Sequence, residues 1–159
     1  LQDRATIFLN ACLLFVVLFY VYPLKFVAEG IAAFVFGVAP APGGFNGVND
    51  LGTLFVLYGG GFVAIFTFVS ALYRHAWSQR RELGLTDEEA YDARFYARHY
   101  AIFIGVGLVS MLLSWLGWGL SVGLPGWIYA SLGPLCYLHG NWSNRRRPAQ
   151  EEALVERLV

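Results

Sequence analysis

Three histidines and one asparagine are the side chains of this sequence that could do chemistry in unusually apolar surroundings. His75, His99 and His139 each stand close to one end of a long apolar run, and Asn10 stands inside the first run. Three imidazoles at one level could bind a metal ion or titrate near neutral pH. No two of them are four residues apart, and the two cysteines lie deeper in the apolar runs, so we expect no metal site.

The sequence offers no grouping of residues that would support catalysis. It has no serine, histidine and aspartate in a triad order, no nucleotide-binding loop and no pair of carboxylates within an apolar run. We therefore expect neither an enzyme nor a bound cofactor. An amide such as that of Asn10 is costly inside a membrane unless it finds a partner. We expect it to form a hydrogen bond to another helix, and contact with an ion is the alternative.

Membrane helices are the elements that would position these groups. Of the 159 residues, 57% are hydrophobic and 14% are charged, whereas a soluble domain has about 25% charged residues. The apolar residues form blocks close to the length of about 20 residues that crosses a bilayer core. We predict an all-α, polytopic integral membrane protein with four transmembrane helices, at about residues 5–22, 51–73, 100–116 and 120–138.

Pro23 marks the predicted end of the first span, because proline removes a backbone donor and clashes with the preceding turn. Tyr20 and Tyr22 precede it, at the depth where an aromatic belt would meet the headgroups. The apolar stretch at 24–38 is too short for a confident fifth span. We predict an interfacial or kinked helical extension there, in which Lys25 and Glu29 can pair on one face.

The most polar part of the sequence separates the second span from the third. Thr86 and Glu89 form a capping-box pattern that starts a helix, and Gly84 is typical of a helix end. We therefore predict a cytoplasmic helical hairpin at about 74–99, whose first helix reaches about Leu83 and whose second begins near Asp87. The transmembrane domain would then cover 1–143, followed by a cytoplasmic basic tail at 144–159.

Basic residues set the predicted orientation. With four spans, all the arginines fall on one side of the membrane and Lys25 falls alone on the other. Lysine and arginine accumulate in cytoplasmic loops, so both termini are predicted in the cytoplasm. The net charge is zero, which gives no reason to expect a nucleic-acid partner.

Small residues four positions apart suggest where the helices pack closely. The second span contains three consecutive glycines, and the third contains Ala101 and Gly105. Such residues let membrane helices approach backbone to backbone. A hinge or a pore-lining bend is the alternative for the triple glycine, because glycine lowers helix propensity by about 1 kcal/mol per residue. The candidates for helix packing or polar contact are Arg4, Asn10, Gly59, Gly60, Gly61 and Gly105.

Three segments together carry a resemblance to a known family. They are the run Arg4-x5-Asn10-x3-Leu14-Phe15 leading to Pro23, the glycine-containing span that ends in LYRHAWSQRR, and ARHYAIFIGVGLVSMLLSW. These segments resemble the later helices of the endolysosomal proton-activated potassium channels and their bacterial homologues. In that family, the first helix of a six-helix repeat carries an Arg-Phe-Ser-Asp-Gly motif and supplies the pore constriction.

The resemblance implies that this chain corresponds to the last four helices of the repeat. No Phe-Ser-Asp sequence occurs in it, so no selectivity residue is transferred. We expect scaffold helices around a potassium-conduction path in a bacterial inner membrane, as a homo-oligomer or with other membrane subunits. The alternative is a non-conducting accessory or structural subunit of a larger membrane complex.

Overall fold

The computed structural model describes residues 3–37 and 48–144. Three long helices dominate it: α1 at Arg4–Phe36, α2 at Val48–Ser78 and α3 at Asp87–Trp115. A 3-10 turn at Leu120–Val122, α4 at Leu124–Trp127, a second 3-10 turn at Ile128–Ser131 and α5 at Leu132–Asn144 complete the described chain. Most of the loop after the first helix and nearly all of the predicted basic tail lie outside the described residues.

The all-α prediction is confirmed, since the described residues contain helices and turns but no strand. Three helices are long and apolar enough to cross a membrane, through Arg4–Val21, Gly52–Ser78 and Asp87–Trp115. They overlap the first three predicted spans. The exact span boundaries and the domain division remain predictions.

The region of the fourth predicted span begins differently from the expectation. Gly119 and Gly123 have positive φ angles of 69° and 67°, and the 3-10 turn lies between them. Continuous helical backbone therefore starts at Leu124 instead of residue 120, with Pro125 in its first turn. From Leu124 to Asn144 the backbone is helical through α4, the second 3-10 turn and α5, a rise of about 30 Å.

Helix α1 passes through Pro23 without ending there. It contains 33 residues and stops at Gly37, whose φ of 62° is left-handed. At about 1.5 Å per residue its length is about 50 Å, well above the hydrocarbon thickness of about 30 Å. The helical extension after the first span is therefore present, and the Lys25 ammonium lies 3.9 Å from the Glu29 carboxylate on its exposed surface.

The connection between α2 and α3 is a tight turn with the expected caps. The Thr86 hydroxyl accepts from the Glu89 backbone, and the Glu89 carboxylate accepts from Thr86 in return. Regular α-helix ends at Ser78, earlier than the predicted Leu83, but turns continue to Gly84. The Leu85 N–H donates to the Arg80 carbonyl at 2.9 Å, which is the long bond of a Schellman motif. Gly84 has the positive φ of 62° that this motif requires.

Helix α2 lies between α1 and α3. Small residues of α3 meet α2: the Ala97 carbonyl accepts a hydrogen bond from Ser70 of α2, and Val63 of α2 takes the space beside Gly107. Aromatic rings fill the contact between these small residues, with Phe66 on Phe103 at 4.5 Å and Tyr73 on Tyr100 at 5.6 Å between ring centroids. Small residues allow close approach where no hydrophobic effect drives helices together, so this interface is held chiefly by packing.

Candidate functional site

The first part of the candidate site is the close crossing of α2 and α3. A Cβ atom added to Gly59 would overlap the Met111 side chain. A Cβ atom added to Gly107 would lie 2.7 Å from Cγ2 of Val63 and 3.8 Å from the Gly59 carbonyl oxygen. Contacts this short leave no room for a side chain on either backbone.

Gly61 makes the matching contact on the other side of α2. The Tyr20 ring of α1 occupies the position that a Gly61 side chain would take, and the Tyr20 hydroxyl donates to the Tyr58 carbonyl at 2.7 Å. Tyr20 therefore packs against α2 and does not serve only in an interfacial aromatic belt. The middle glycine, Gly60, has only the Met111 methyl group near it, at 3.9 Å.

The remaining predicted candidates lie away from these contacts. Gly105 has no atom within 4 Å of an added Cβ. Arg4 and Asn10 are exposed, and no hydrogen bond of Asn10 is found within residues 3–37 and 48–144. The Asn10 side chain lines an open groove between α1 and α2. The amide is thus near α2 without the interhelical bond that we expected.

Buried serine hydroxyls form hydrogen bonds between the helices. Ser70 of α2 donates to the Ala97 carbonyl of α3 at 2.9 Å. Ser110 of α3 is completely buried and donates to the Pro125 carbonyl at 2.8 Å. These bonds attach α3 to α2 on one side and to α4 on the other, so α3 is fixed in position.

A polar cluster joins the beginning of α1 to the end of α2. The His75 Nε2 atom lies 2.6 Å from Oδ2 of Asp3, and the Gln79 amide donates to the same oxygen at 3.2 Å. The hydrogen bond from His75 is the main cause that lowers the pKa of Asp3 below its ordinary value of 3.8. Asp3 therefore stays ionised at neutral pH and holds the two helix ends together.

The other two histidines meet between α3 and α5. Nδ1 of His99 lies 3.4 Å from Nδ1 of His139, and the Phe95 ring stacks on His139 with centroids 4.9 Å apart. His75 belongs to the other cluster, so the three imidazoles are divided between two places. The described residues contain no group of three histidine, cysteine or acidic side chains that could hold a metal ion.

These contacts define a class of protein: a polytopic helical membrane protein whose long helices pack through glycine and serine. No protein-family model matches the chain. It is 32% identical over 156 residues to a potassium channel of Marivirga tractuosa, an alignment that covers 92% of this chain and 63% of that protein. The crystal structure of a variant of the potassium channel MtTMEM175, in complex with a nanobody–MBP fusion protein, superposes with a TM-score of 0.74.

That structural match has 32% sequence identity and covers 91% of this chain and 66% of the channel chain. The chain thus spans a little less than two thirds of the length of both channels. It resembles TMEM175-like potassium channels over about nine tenths of its own length, and the resemblance seen in its first three spans is confirmed. Both relatives are described as potassium channels.

Proposed function

We propose that the helices of this chain are the scaffold around a potassium-conducting path. The observation that carries the proposal is the likeness to two potassium channels, which extends over nine tenths of this chain at 32% identity. The glycine and serine contacts suit a scaffold role. They fix α2 between its two neighbours through backbone contacts, which leave little freedom for the helices to slide.

We further propose that the chain lies in the inner membrane of a bacterium with both termini in the cytoplasm. The arginines in the described residues support this orientation, since they gather at the start of α1 and around the turn between α2 and α3. The opposite end carries exposed tryptophans that suit a membrane interface: Trp115, Trp118 and Trp127 are 79%, 64% and 72% exposed.

The exposed surface of α1 supports assembly into a homo-oligomer. No residue of Arg4–Val21 is fully buried inside the chain, and large apolar side chains such as Phe15 and Leu18 are 70% and 73% exposed. In a membrane these side chains contact lipid or other helices. A channel built from copies of one subunit would cover part of this surface.

Potassium flux into liposomes tests the proposed function. The purified protein that contains this chain is reconstituted, and potassium-driven flux is compared with that of protein-free vesicles at the same lipid composition. We expect flux that depends on the amount of protein and on a potassium gradient. Vesicles that contain folded protein and stay silent would contradict the proposal and favour an accessory or structural subunit.

A further inference from the structure

A basic cleft opens between α3 and α5 at the arginine-rich end of the helices. Its lining includes Arg94 and Arg98 of α3 and His139, Trp142 and Ser143 of α5. Its volume is about 290 Å³, near the lower limit of about 300–1,000 Å³ for small-ligand sites. This basic cleft has no part in the glycine and serine contacts described above.

Contacts at two levels hold the walls of the basic cleft in place. Toward the end of the helices, the hydroxyls of Tyr91 and Ser143 lie 2.6 Å apart. About 12 Å further along α3, His99 and His139 form their contact of 3.4 Å. Phe95 packs on His139 between the two levels. The cleft is therefore a preformed feature of the packing of α3 against α5.

No acidic side chain in the described part of the chain lines the basic cleft. Arg94 and Arg98 are four positions apart and thus lie on one face of α3. The ion pairs of Lys25 with Glu29 and of His75 with Asp3 lie elsewhere, and no carboxylate of residues 3–37 and 48–144 lines the cleft. Two guanidinium groups without an acidic partner favour an anion, and arginine suits phosphate because it offers paired donors.

His139 can supply a further donor to the same space. A hydrogen bond between two Nδ1 atoms needs one of them to carry the proton. When His99 donates, the neutral His139 accepts at Nδ1 and therefore carries its own proton at Nε2. Because His139 lines the cleft, that N–H can donate to an anion bound there.

The depth of the basic cleft in the bilayer points to a lipid as the source of the anion. Arg98 lies 17 positions before Trp115 on α3, a rise of about 26 Å, close to the hydrocarbon thickness of about 30 Å. With the exposed Trp115 at one interface, Arg98 is placed at the headgroup level of the other. On α5, Tyr137 and Leu138 are 73% and 61% exposed, so an apolar surface for acyl chains adjoins the cleft.

We propose that the basic cleft binds the phosphate group of an anionic phospholipid from the adjacent leaflet, with Arg94 and Arg98 as its ligands. Basic pockets between transmembrane helices are known to bind anionic headgroups in other membrane proteins. The proposal requires that the helices lie in a membrane, but it does not depend on conduction. It gives the arginines of α3 a role beyond setting the orientation.

Binding of short-chain phosphatidylglycerol to the purified protein in detergent tests the proposal by titration calorimetry. We compare the wild type with the double variant Arg94→Gln and Arg98→Gln. The matched control is Arg74→Gln with Arg81→Gln, which removes two arginines at the same end but outside the cleft. We expect the cleft variant to bind at least about tenfold more weakly and the control to bind like the wild type.

Two further arms identify the ligand and exclude misfolding. Phosphatidylcholine of the same chain length and inorganic phosphate should each bind much more weakly than phosphatidylglycerol. The single variant Arg98→Gln leaves the contact of Arg94 with the Trp77 ring intact, and it should melt like the wild type without lipid yet bind more weakly. Equal losses in the cleft and control variants, or equal binding of inorganic phosphate, would overturn the proposal.

Discussion

Replacing Gly61 by alanine tests whether the glycine triplet sets the distance between α1 and α2. The added Cβ would fall within the Tyr20 ring, so the ring has to move. Its movement would also break the hydrogen bond of 2.7 Å from the Tyr20 hydroxyl to the Tyr58 carbonyl. Gly60→Ala is the matched control, because the only contact near its Cβ is an ordinary one of 3.9 Å with Met111.

The expected difference between the two variants follows from three contributions. Each substitution gains about 1 kcal/mol of helix propensity, and this gain cancels when the variants are compared. Overpacking at Gly61 costs about 1–3 kcal/mol. Loss of the tyrosine hydrogen bond costs about 0.6–1.5 kcal/mol, judged from interhelical bonds in membranes and from proteins in general. Gly61→Ala should thus be less stable than Gly60→Ala by about 2–4 kcal/mol.

Reversible unfolding in mixed micelles, with the denaturing detergent varied, measures the free energy of unfolding of both variants. Tyr20→Phe separates the hydrogen bond from the packing, and it should lose only about 0.6–1.5 kcal/mol. If Gly61→Ala proves as stable as Gly60→Ala, then the contact between Tyr20 and Gly61 does not determine how α1 packs on α2, and the reasoning is wrong.

Two other perturbations give distinct outcomes. Gly107→Leu should separate α2 from α3, because even a Cβ there lies 2.7 Å from Val63. The yield of folded protein should therefore drop sharply. The control Gly105→Leu should fold normally, because no atom lies within 4 Å of its added Cβ. The lowered pKa of Asp3 means that its contact with His75 stabilises the protein above the ordinary value of 3.8 and is lost as the pH falls through the lower folded-state value. The wild type should therefore lose thermal stability between about pH 5 and pH 3, and Asp3→Asn should show a smaller loss; equal losses in the two proteins would contradict this role.

The sequence predicts the type of element well and the rotation of each helix poorly. The length and composition of the apolar blocks were enough to predict the long helices, because the bilayer fixes both the length and the polarity of a span. The capping box at Thr86 was also predictable, since it depends on residues three positions apart. The rotation of α3 about its axis was not predictable. Gly105 and Gly107 lie on nearly opposite faces, about 200° apart around the helix. The pattern of small residues four positions apart indicated Gly105, the one whose side faces open space.

Tertiary contacts explain the remaining differences. Asn10 was expected to bond across helices, but its amide lines an open groove. The contact between His99 and His139 joins residues 40 positions apart, and no local sequence pattern predicts it. The late start of the last helical region follows from the left-handed backbone of Gly119 and Gly123, which a count of apolar residues does not detect.

The order of the long helices, with α2 between α1 and α3, has a geometric consequence for transport. Three helices in this order form a single layer, and a single layer of helices does not enclose an ion path. If potassium passes along this protein, the other side of its path is formed by other helices, from a longer chain or from neighbouring copies. The outer surface of α1, where no residue between Arg4 and Val21 is fully buried, is where those helices would have to pack.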